Sequence, residues 1–395
     1  MTEATQPLAG IKVVEFSTMI TASLATMMFA QQGADVIKVE PPGIGDPMRW
    51  LGSQRAGISG LFHNCNQAKR SITLDLKSAE DLAHARQLCL QADVVIHNYR
   101  PGVMDRLGLG YKEISKISPK IIYCSATGYG QTGPYRNKPG HDINYLGISG
   151  ILGCTGEQTG RPVIPGIPFG DMAGGGLFPA LTILAALLGR ERTGNGQYID
   201  VAQTDVLTSL NIRNLSEALA KKKGQKARPV DLRGFNLCYN TFKTKDGKFI
   251  SSASVEPKFW ANFCKAIGRE DWISYHMLPY EEGSEATENL KEFFLSKTQK
   301  EWTEIFENVD TCVTPILTSD ETLMDKQLIE RGVITTMDDP KRGETIQIGF
   351  PAKFSQELNF KRLPPPLFGE HTTEVLNNLG YTSSQIETLK KDGII

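Results

Sequence analysis

The first 130 residues alternate short β-branched apolar runs with longer stretches of helical pattern, and this alternation constrains the fold more than any other feature. Strands are predicted at residues 11–16, 34–40, 92–99 and 120–130, and helices at residues 21–32 and 78–91. Strands that alternate with helices form a parallel sheet with helices packed on its faces. We therefore predict an α/β fold that opens with a doubly wound, Rossmann-like domain.

The loop after the first strand lacks the motif of a dinucleotide-binding domain. Such domains carry G-x-G-x-x-G at this point, because glycines let the backbone approach the pyrophosphate. This chain has STMITASLA there instead. The sequence therefore disfavours NAD as a ligand of the predicted sheet.

The length of 395 residues and a change in composition near residue 220 indicate two domains. Single cores stop growing at about 250–300 residues, so a chain of this length usually splits. We predict a large domain at residues 1–220 and a smaller α+β domain at residues 225–330, with the basic linker AKKKGQKARP between them. A β-hairpin with Asp246 and Gly247 at its turn is expected in the smaller domain, followed by helices. Residues 331–395 are expected to return to the large domain.

The overall charge and the apolar runs exclude several classes of partner. A net charge of -1 gives no bulk attraction to nucleic acid or to an anionic membrane surface, so we expect neither partner. The longest apolar run, residues 177–188, is shorter than the roughly 20 residues of a membrane span and predicts a buried helix. The N-terminal sequence has no secretory pattern, and the seven cysteines are scattered without a C-x-x-C pair. We therefore expect a cytoplasmic location with reduced thiols.

Asp171 lies in PFGDMAGGG, directly before that apolar run. Taken alone, it is best interpreted as an N-cap that accepts hydrogen bonds from the first N–H groups of the helix. A cap does not require three glycines, each of which weakens a helix by up to about 1 kcal/mol relative to alanine. The glycines are better explained if a ligand approaches the backbone. The N–H groups of residues 170–173 would then stabilise an oxyanion or an enolate.

His141, in GHDINY, and Glu256, in SASVEPKFW, are the other two candidates, and each has a structural alternative. A lone histidine is more often structural than catalytic, and Asp142 beside it is consistent with an Asx-turn. Because neighbouring residues seldom point to the same side, His141 and Asp142 are not expected to form a catalytic pair. Glu256 precedes Pro257 at the start of a predicted helix, where a carboxylate is favourable as a cap.

A series of segments along nearly the whole chain resembles the family III CoA-transferase superfamily, and within it the α-methylacyl-CoA racemases. The segments are LAGIKVVEFS, GADVIKVEPPGIGDPMRW, NCNQAKRSITLDLK, ADVVIHNYRPGVMDRLGLGY, SATGYGQTGPY, GHDINY, GDMAGGG, GNGQYIDVAQTD, DGKFISSASVEPKFW and LFGEHTTEVLNNLG. The resemblance implies a Rossmann-like large domain with a smaller α+β domain, and two chains interlocked as a homodimer. It also implies an acyl-CoA substrate, with no cofactor beyond the coenzyme A moiety of that substrate and no metal.

The resemblance implies coenzyme A contacts at seven positions, which are Leu74, Lys77, Asn98, Tyr99, Arg100, Arg106 and Gly140. Lysine and arginine suit phosphate oxygens, although each is equally compatible with an exposed surface position. The family often has a further basic residue after the second strand, where this chain has Pro41 and Pro42.

The resemblance to the racemases also assigns catalytic roles. Asp171 and His141 would act as acid and base on opposite faces of the substrate, and Glu256 would hydrogen-bond the imidazole. We therefore expect an isomerase that inverts the α-carbon of 2-methyl-branched acyl-CoA thioesters through an enolate. The leading alternative is a CoA-transferase that moves CoA between carboxylic acids, with Asp171 as covalent nucleophile. A non-catalytic acyl-CoA-binding protein is a third. In the transferases the position matching His141 is commonly aromatic or apolar, so this residue decides between the first two.

Overall fold

The chain divides into two compact units. Residues 6–55, 57–156, 161–221, 234–355, 360 and 362–391 are described by the computed structural model. Unit 1 consists of Met1–Cys154, Ile164–Ile212 and Ile329–Ile395, and unit 2 consists of Thr155–Val163 and Arg213–Leu328. All but the first two residues of the predicted linker AKKKGQKARP lie outside the described residues.

The strands of unit 1 include every one predicted from the alternating pattern. In chain order the strands of both units are β1 (Lys12–Phe16), β2 (Asp35–Glu40), β3 (Gln54–Arg55), β4 (Ile58–Ser59), β5 (Arg70–Thr73), β6 (Val94–His97), β7 (Ile122–Thr127), β8 (Gln197–Ala202), β9 (Tyr239–Lys243), β10 (Phe249–Ala253), β11 (Val313–Ile316), β12 (Ile334–Asp339) and β13 (Gly343–Ile348). The edge strand β5 and the hairpin β12–β13 were not predicted.

Six strands of the described chain form a parallel sheet in the order β5-β2-β1-β6-β7-β8. This is the doubly wound order of a Rossmann-like sheet, and it confirms the predicted α/β class. The order reverses between β1 and β6. In such sheets a crevice opens at that point, beyond the carboxyl ends of the strands.

Helices connect the strands and follow them in the sequence. They are α1 (Ser23–Gln31), α2 (Gly60–Cys65), α3 (Ala79–Gln91), α4 (Val103–Arg106), α5 (Tyr111–Ile117), α6 (Asp142–Ile148), α7 (Ile151–Cys154), α8 (Phe178–Thr193), α9 (Gln203–Leu210), α10 (Ile212–Ala220), α11 (Pro257–Ala266), α12 (Glu285–Leu295), α13 (Gln299–Phe306), α14 (Ser319–Thr322), α15 (Lys326–Glu330), α16 (Thr372–Asn378) and α17 (Ser383–Lys391). A π-helical segment, Gly170–Leu177, runs directly into α8, and short 3₁₀ helices occupy Pro47–Arg49 and Glu270–Tyr275.

The sheet of unit 1 is covered on both faces, as its continuous apolar strands require. Successive strand residues point to opposite faces, so Val13 and Val14 belong to different clusters. One cluster packs the sheet against helices that include α3, α16 and α17. The other packs it against α1 and α8, through residues such as Phe29 and Ile183. The C-terminal helices α16 and α17 therefore belong to the core of unit 1.

The apolar run predicted as a buried helix is part of a longer one. The π-helical segment and α8 together span Gly170–Thr193, which by length and composition alone is sufficient to cross a membrane. Our argument from length was therefore wrong, because the preceding glycines continue the helix. Ala180, Ile183 and Ala186 pack in the core of unit 1, as expected of a core helix.

Unit 2 is built on the antiparallel sheet β11-β10-β9. The predicted hairpin is confirmed, with β9 and β10 paired and Gly247 in the left-handed region at φ 78° in the turn. The helices predicted after the hairpin form as α11, α12 and α13. Aromatic side chains dominate the core of this unit, including Trp260, Trp272 and Trp302.

Candidate active site

A cavity of about 600 Å³ lies in unit 1 at the carboxyl ends of the central strands. Its walls come from the segments after β1, β6, β7 and β8, where the order of the sheet predicts a crevice. The lining includes Thr18, Met19, Thr21, Asn98, Arg100, Gly128, Tyr129, Arg136, Lys138, Gly140, His141, Tyr145, Asp171 and Gln203. Asp171 and His141, predicted to be catalytic, therefore line the same cavity.

The loop between β1 and α1 forms one wall and replaces the glycine-rich loop of dinucleotide binders. Met19 and Ala22 have φ values of 64° and 66°, a region that side chains other than glycine rarely adopt. The Ala22 N–H donates to Gly175 O at 2.7 Å, and the Asn98 amide donates to Thr18 O at 2.7 Å. These bonds hold the strained loop against the glycine-rich helix and against the end of β6.

The Asp171 carboxylate is partly buried and accepts a hydrogen bond from one polar side chain that is itself held by a second. The Thr21 hydroxyl donates to Asp171 Oδ1 at 3.2 Å, and Gln203 Nε2 donates to the Thr21 hydroxyl at 2.8 Å. Burial raises the pKa of the Asp171 carboxyl, and the nearby Asp142 carboxylate raises it further. The side chains of Thr21 and Gln203 and the imidazole of His141 oppose that rise without cancelling it. Asp171 is therefore a carboxyl group whose proton affinity exceeds that of an ordinary aspartate.

Asp142, rather than Asp171, caps the glycine-rich helix. Asp142 Oδ1 accepts the N–H groups of Gly170 at 2.6 Å and Asp171 at 3.1 Å. The interpretation of Asp171 as an N-cap was therefore wrong, and so was the Asx-turn at Asp142. The turn is made by Asn144, whose Oδ1 accepts the His141 N–H at 2.9 Å.

The capping bonds also change our expectation for the oxyanion. The N–H groups of residues 170 and 171 are taken by Asp142, and the Met172 N–H donates to Pro168 O at 2.9 Å. Backbone donors at residues 170–172 are thus already engaged and do not provide the site we expected for an enolate.

The glycines of the segment accommodate neighbouring side chains. A Cβ at Gly174 would lie 2.8 Å from Gln203 Cα, and one at Gly175 would lie 2.8 Å from Thr21 Oγ1. A Cβ at Gly176 would lie 2.7 Å from Leu24 Cδ2. Our ligand-based explanation for these three glycines was therefore wrong. They let α1 and α9 approach the helix that carries Asp171.

His141 is exposed and precedes α6 at the edge of the cavity. Its neighbour Tyr145 donates its hydroxyl to Gly140 O at 2.6 Å. Burial, with a contribution from Asp171, raises the pKa of Tyr145 to about 12, so this phenol stays protonated. The tyrosine thereby fixes the backbone immediately before His141.

The predicted coenzyme A contacts divide into two groups. Among the described residues that line the cavity, the predicted set is represented by Asn98, Arg100 and Gly140. Lys77 and Arg106 are exposed elsewhere on unit 1, and Tyr99 packs against the core. The side chain of Leu74 is only 1% exposed and lies within the core, so a ligand would meet its backbone alone.

Two basic residues of the cavity were not predicted. Arg136 and Lys138 line it beside Arg100, and Lys138 lies 3.9 Å above the ring of Tyr135. Their position in PYRNKPGH, only a few residues before His141, was the available signal. Together the three cations make this a suitable cavity for an anionic ligand.

Glu256 lies in unit 2, directly before α11, with Pro257 as the first helical residue. Glu256 occupies the N-cap position of α11, as its interpretation as a cap predicted, but its exposed side chain makes no hydrogen bond to the first turn of the helix. Within the part of the chain that the structure describes, no cluster of three or more His, Cys, Asp or Glu side chains is arranged to hold a metal ion.

Comparison with known proteins gives a consistent family. The model of CoA-transferase family III matches residues 8–372. The human α-methylacyl-CoA racemase is 35% identical over 98% of this chain and 97% of its own. The mouse succinyl-CoA:glutarate CoA-transferase is 33% identical over 100% of this chain and 91% of its own. A CaiB/BaiF family protein from Brucella suis has a TM-score of 0.81 at 30% identity, covering 95% of this chain and 100% of its own. The chain therefore belongs to CoA-transferase family III.

Proposed function

We propose that the protein is an acyl-CoA racemase that inverts the α-carbon of 2-methyl-branched acyl-CoA thioesters. The observation that carries the proposal is that Asp171 and His141, which come from different elements, line one cavity. Racemisation needs one group to remove the α-proton and a second to return a proton to the opposite face. The similarity to the human α-methylacyl-CoA racemase supports the same choice.

The proton moves between the substrate and the two side chains. For one isomer the Asp171 carboxylate takes the α-proton while the protonated imidazole of His141 supplies a proton to the other face; for the other isomer the roles reverse. The raised pKa of Asp171 makes its carboxylate a stronger base for this step. Because N–H groups at residues 170–172 are engaged, the enolate charge is balanced by the cations of the cavity, of which Arg100 is one.

The second candidate is a CoA-transferase, favoured by the near-equal identity to the mouse succinyl-CoA:glutarate CoA-transferase. Here Asp171 attacks the thioester carbonyl of the donor and releases the CoA thiolate, which leaves a mixed anhydride. The thiolate then attacks the aspartyl carbonyl, releasing the donor acid and forming an aspartyl-CoA thioester. An acceptor carboxylate finally takes the CoA by the reverse sequence. In this reaction His141 has no required role.

One experiment separates the two candidates. The protein is incubated with (R)- or (S)-2-methylacyl-CoA in deuterated water without an acceptor acid. A racemase incorporates deuterium at the α-carbon and equilibrates the two isomers. Absence of exchange, together with CoA transfer to an added acid and a trapped adduct on Asp171, would replace the racemase proposal with the transferase.

The role of His141 is tested by His141→Ala in the same assay. We expect loss of α-deuterium exchange with an unchanged thermal unfolding midpoint, because the exposed imidazole belongs to no core cluster of the described residues. A variant that exchanges at the wild-type rate would exclude His141 from the mechanism.

The homodimer and the role of Glu256 as partner of the imidazole belong to the same proposal. α8 leaves Leu181 and Leu188 each 59% exposed in the single chain, which supports a second copy as a covering partner. Sedimentation equilibrium tests the dimer.

The role of Glu256 is tested by Glu256→Gln, with Glu304→Gln at an exposed position as the control. We expect slower α-deuterium exchange in Glu256→Gln and an unchanged rate in Glu304→Gln. The cytoplasmic location stays a prediction.

A further inference from the structure

Two polar side chains from different elements meet at the Asp171 carboxylate. Thr21 follows β1, and Gln203 is the first residue of α9. Gln203 Nε2 donates to Thr21 Oγ1 at 2.8 Å, and the Thr21 hydroxyl donates onward to Asp171 Oδ1 at 3.2 Å. The three side chains thus form a chain of hydrogen bonds that ends at one reacting group.

The backbone around this set leaves little freedom to rearrange. Thr21 is 7% exposed and Gln203 is 3% exposed. Gly174 and Gly175 bring the helix into direct contact with both residues, since any Cβ there would overlap them. The Ala22 N–H donates to Gly175 O, which fixes the Thr21 backbone against the same turn. Such locked partners hold a reacting group in one orientation.

The charges that face Asp171 make these donors chemically significant. Asp142 on α6 opposes ionisation of Asp171, whereas the imidazole of His141 favours it. Tyr145 is also a titratable neighbour of Asp171, and Arg100, in the loop after β6, lowers the pKa of Tyr145. Thr21 and Gln203 are uncharged donors, so they favour the carboxylate without adding a charge to the cavity.

We propose that Thr21 and Gln203 are positioning residues that orient the Asp171 carboxylate toward the substrate and stabilise its ionised form. The proposal rests on the proposed function in that Asp171 is the reacting group, which holds for the racemase and for the transferase. Neither residue acts on substrate atoms in this role. Each acts through Asp171.

The first test is Thr21→Val, which removes the hydroxyl at nearly constant volume. Loss of a donor to the charged form raises the pKa of Asp171, so the acid limb of the pH profile of α-deuterium exchange moves upward by about 1 unit. Thr21→Ser keeps the hydroxyl and should restore the wild-type limb. The matched control is Thr182→Val on α8, whose hydroxyl bonds only backbone carbonyls of its own helix. Its profile should coincide with wild type.

The second test is Gln203→Met, which replaces the amide with a side chain of similar length. Because Gln203 Nε2 donates to the Thr21 hydroxyl and lowers the pKa of Asp171, we expect an upward shift of the same sign in this variant. The shift should be non-additive with that of Thr21→Val, as for residues in one hydrogen-bond network.

A readout independent of activity keeps this proposal separate from the proposed function. Aspartate residues are labelled with ¹³C at the carboxyl carbon, and the Asp171 signal is assigned by its loss in Asp171→Asn. Its titration should move upward in Thr21→Val and return in Thr21→Ser, even if no turnover is detected. If wild type neither exchanges nor transfers, the proposed function fails while this titration still decides the inference. Coinciding titrations for wild type and Thr21→Val would overturn the inference.

Discussion

Two carboxylates in unit 1, one fully buried and one partly buried, stand in opposite electrostatic environments. Glu15 on β1 is fully buried, and its oxygens lie 2.7 Å from Lys38 Nζ and 2.8 Å from Lys69 Nζ. Burial alone would raise the pKa of Glu15, but the two ammonium groups outweigh it and hold the pKa well below its ordinary range. Glu15 also accepts hydrogen bonds from the hydroxyls of Ser17, Ser23 and Thr26.

Asp171 has no such compensation among the described residues. No lysine or arginine in that part of the chain forms an ion pair with it, and its charged carboxylate neighbour is Asp142. Burial and that second carboxylate therefore raise the pKa of Asp171, whereas the pKa of Glu15 is lowered. The loop between β1 and α1 serves both groups, since it carries Ser17 and Ser23 for one and Thr21 for the other.

The difference separates a structural acid from a reactive one. A neutralised carboxylate in the core stays ionised at all physiological pH values and anchors the elements around it. A carboxylate without a cation is less stable as an anion, and its proton affinity approaches the range in which it can exchange protons with a substrate.

The largest expected effect is on activity, in Asp171→Asn. The amide cannot take or return a proton, and we expect the rate of α-deuterium exchange to fall by about 10³- to 10⁴-fold. Stability should not fall with it. A raised folded pKa means that ionisation of Asp171 costs stability as pH rises through that pKa, so at neutral pH the variant should unfold at the wild-type urea concentration or above.

A large drop in the urea midpoint of Asp171→Asn, alongside the loss of exchange, would contradict this expectation. That outcome would make Asp171 a structural acid like Glu15. The two measurements, exchange rate and urea midpoint, are made on the same preparation so that partial unfolding cannot mimic loss of chemistry.

The next largest effect is expected on the free energy of unfolding of the Glu15→Gln variant. Removing one charge from a buried ion network leaves Lys38 and Lys69 without their shared partner, and we expect a loss of about 3–5 kcal/mol in the free energy of unfolding. The control is Glu113→Gln on α5, whose pair with Lys116 is exposed. Its urea midpoint should stay close to wild type.

The difference in stability between wild type and Glu15→Gln should depend on pH, because the pKa of Glu15 is lowered in the folded protein. The contribution of Glu15 is fully present above its unfolded pKa of about 4.3 and is lost as pH falls toward the folded pKa. The stability gap between wild type and Glu15→Gln should therefore narrow only in acid. A gap that is constant down to pH 3 would exclude the lowered pKa as its origin.

Sequence patterns were sufficient for most of the sheet, for a physical reason. Central parallel strands are buried on both faces, so β1, β2, β6 and β7 consist mainly of apolar residues, although Glu15 on β1 and Lys38 on β2 interrupt the pattern as a buried ion pair. β5 was missed because three of its four residues are polar, among them Arg70, which pairs with Asp35 and Glu374. Such an edge strand does not show the apolar run by which the equally short β6 was recognised.

The site was only partly accessible from the sequence. His141 and Asp171 were identified because GHDINY and GDMAGGG resemble segments of the α-methylacyl-CoA racemases, whereas each residue taken alone favoured a structural role. Thr21 was not, because its bonds reach 150 residues to Asp171 and 182 residues to Gln203, and no local pattern encodes such pairs. Asp142 was misinterpreted for the same reason, since its partners lie 28 and 29 residues away rather than in its own turn.

A smaller effect is expected from Asp142→Asn, which removes the second carboxylate. The amide oxygen can still accept the N–H groups of Gly170 and Asp171, so the helix start should persist. Without the neighbouring charge the pKa of Asp171 falls, and the acid limb of α-deuterium exchange should move downward by up to about 1 unit. This sign is opposite to that expected for Thr21→Val, and an upward shift would show that Asp142 acts mainly by placing the helix.

The smallest expected effect comes from repeating one substitution in both regions. Thr26→Val removes one of five donors to Glu15, and because the carboxylate there is fully buried, we expect a loss of about 1 kcal/mol in the free energy of unfolding with no change in pH profile. Thr21→Val removes a donor to a carboxylate that can take up a proton instead. Its stability should therefore change less than that of Thr26→Val while its profile moves, because protonation relieves the lost hydrogen bond at Asp171 and is unavailable at Glu15. Urea unfolding and exchange profiles of the two variants, measured side by side, test this. If Thr26→Val and Thr21→Val lose stability equally and share one pH profile of exchange, Glu15 and Asp171 do not differ in their response to the loss of a donor.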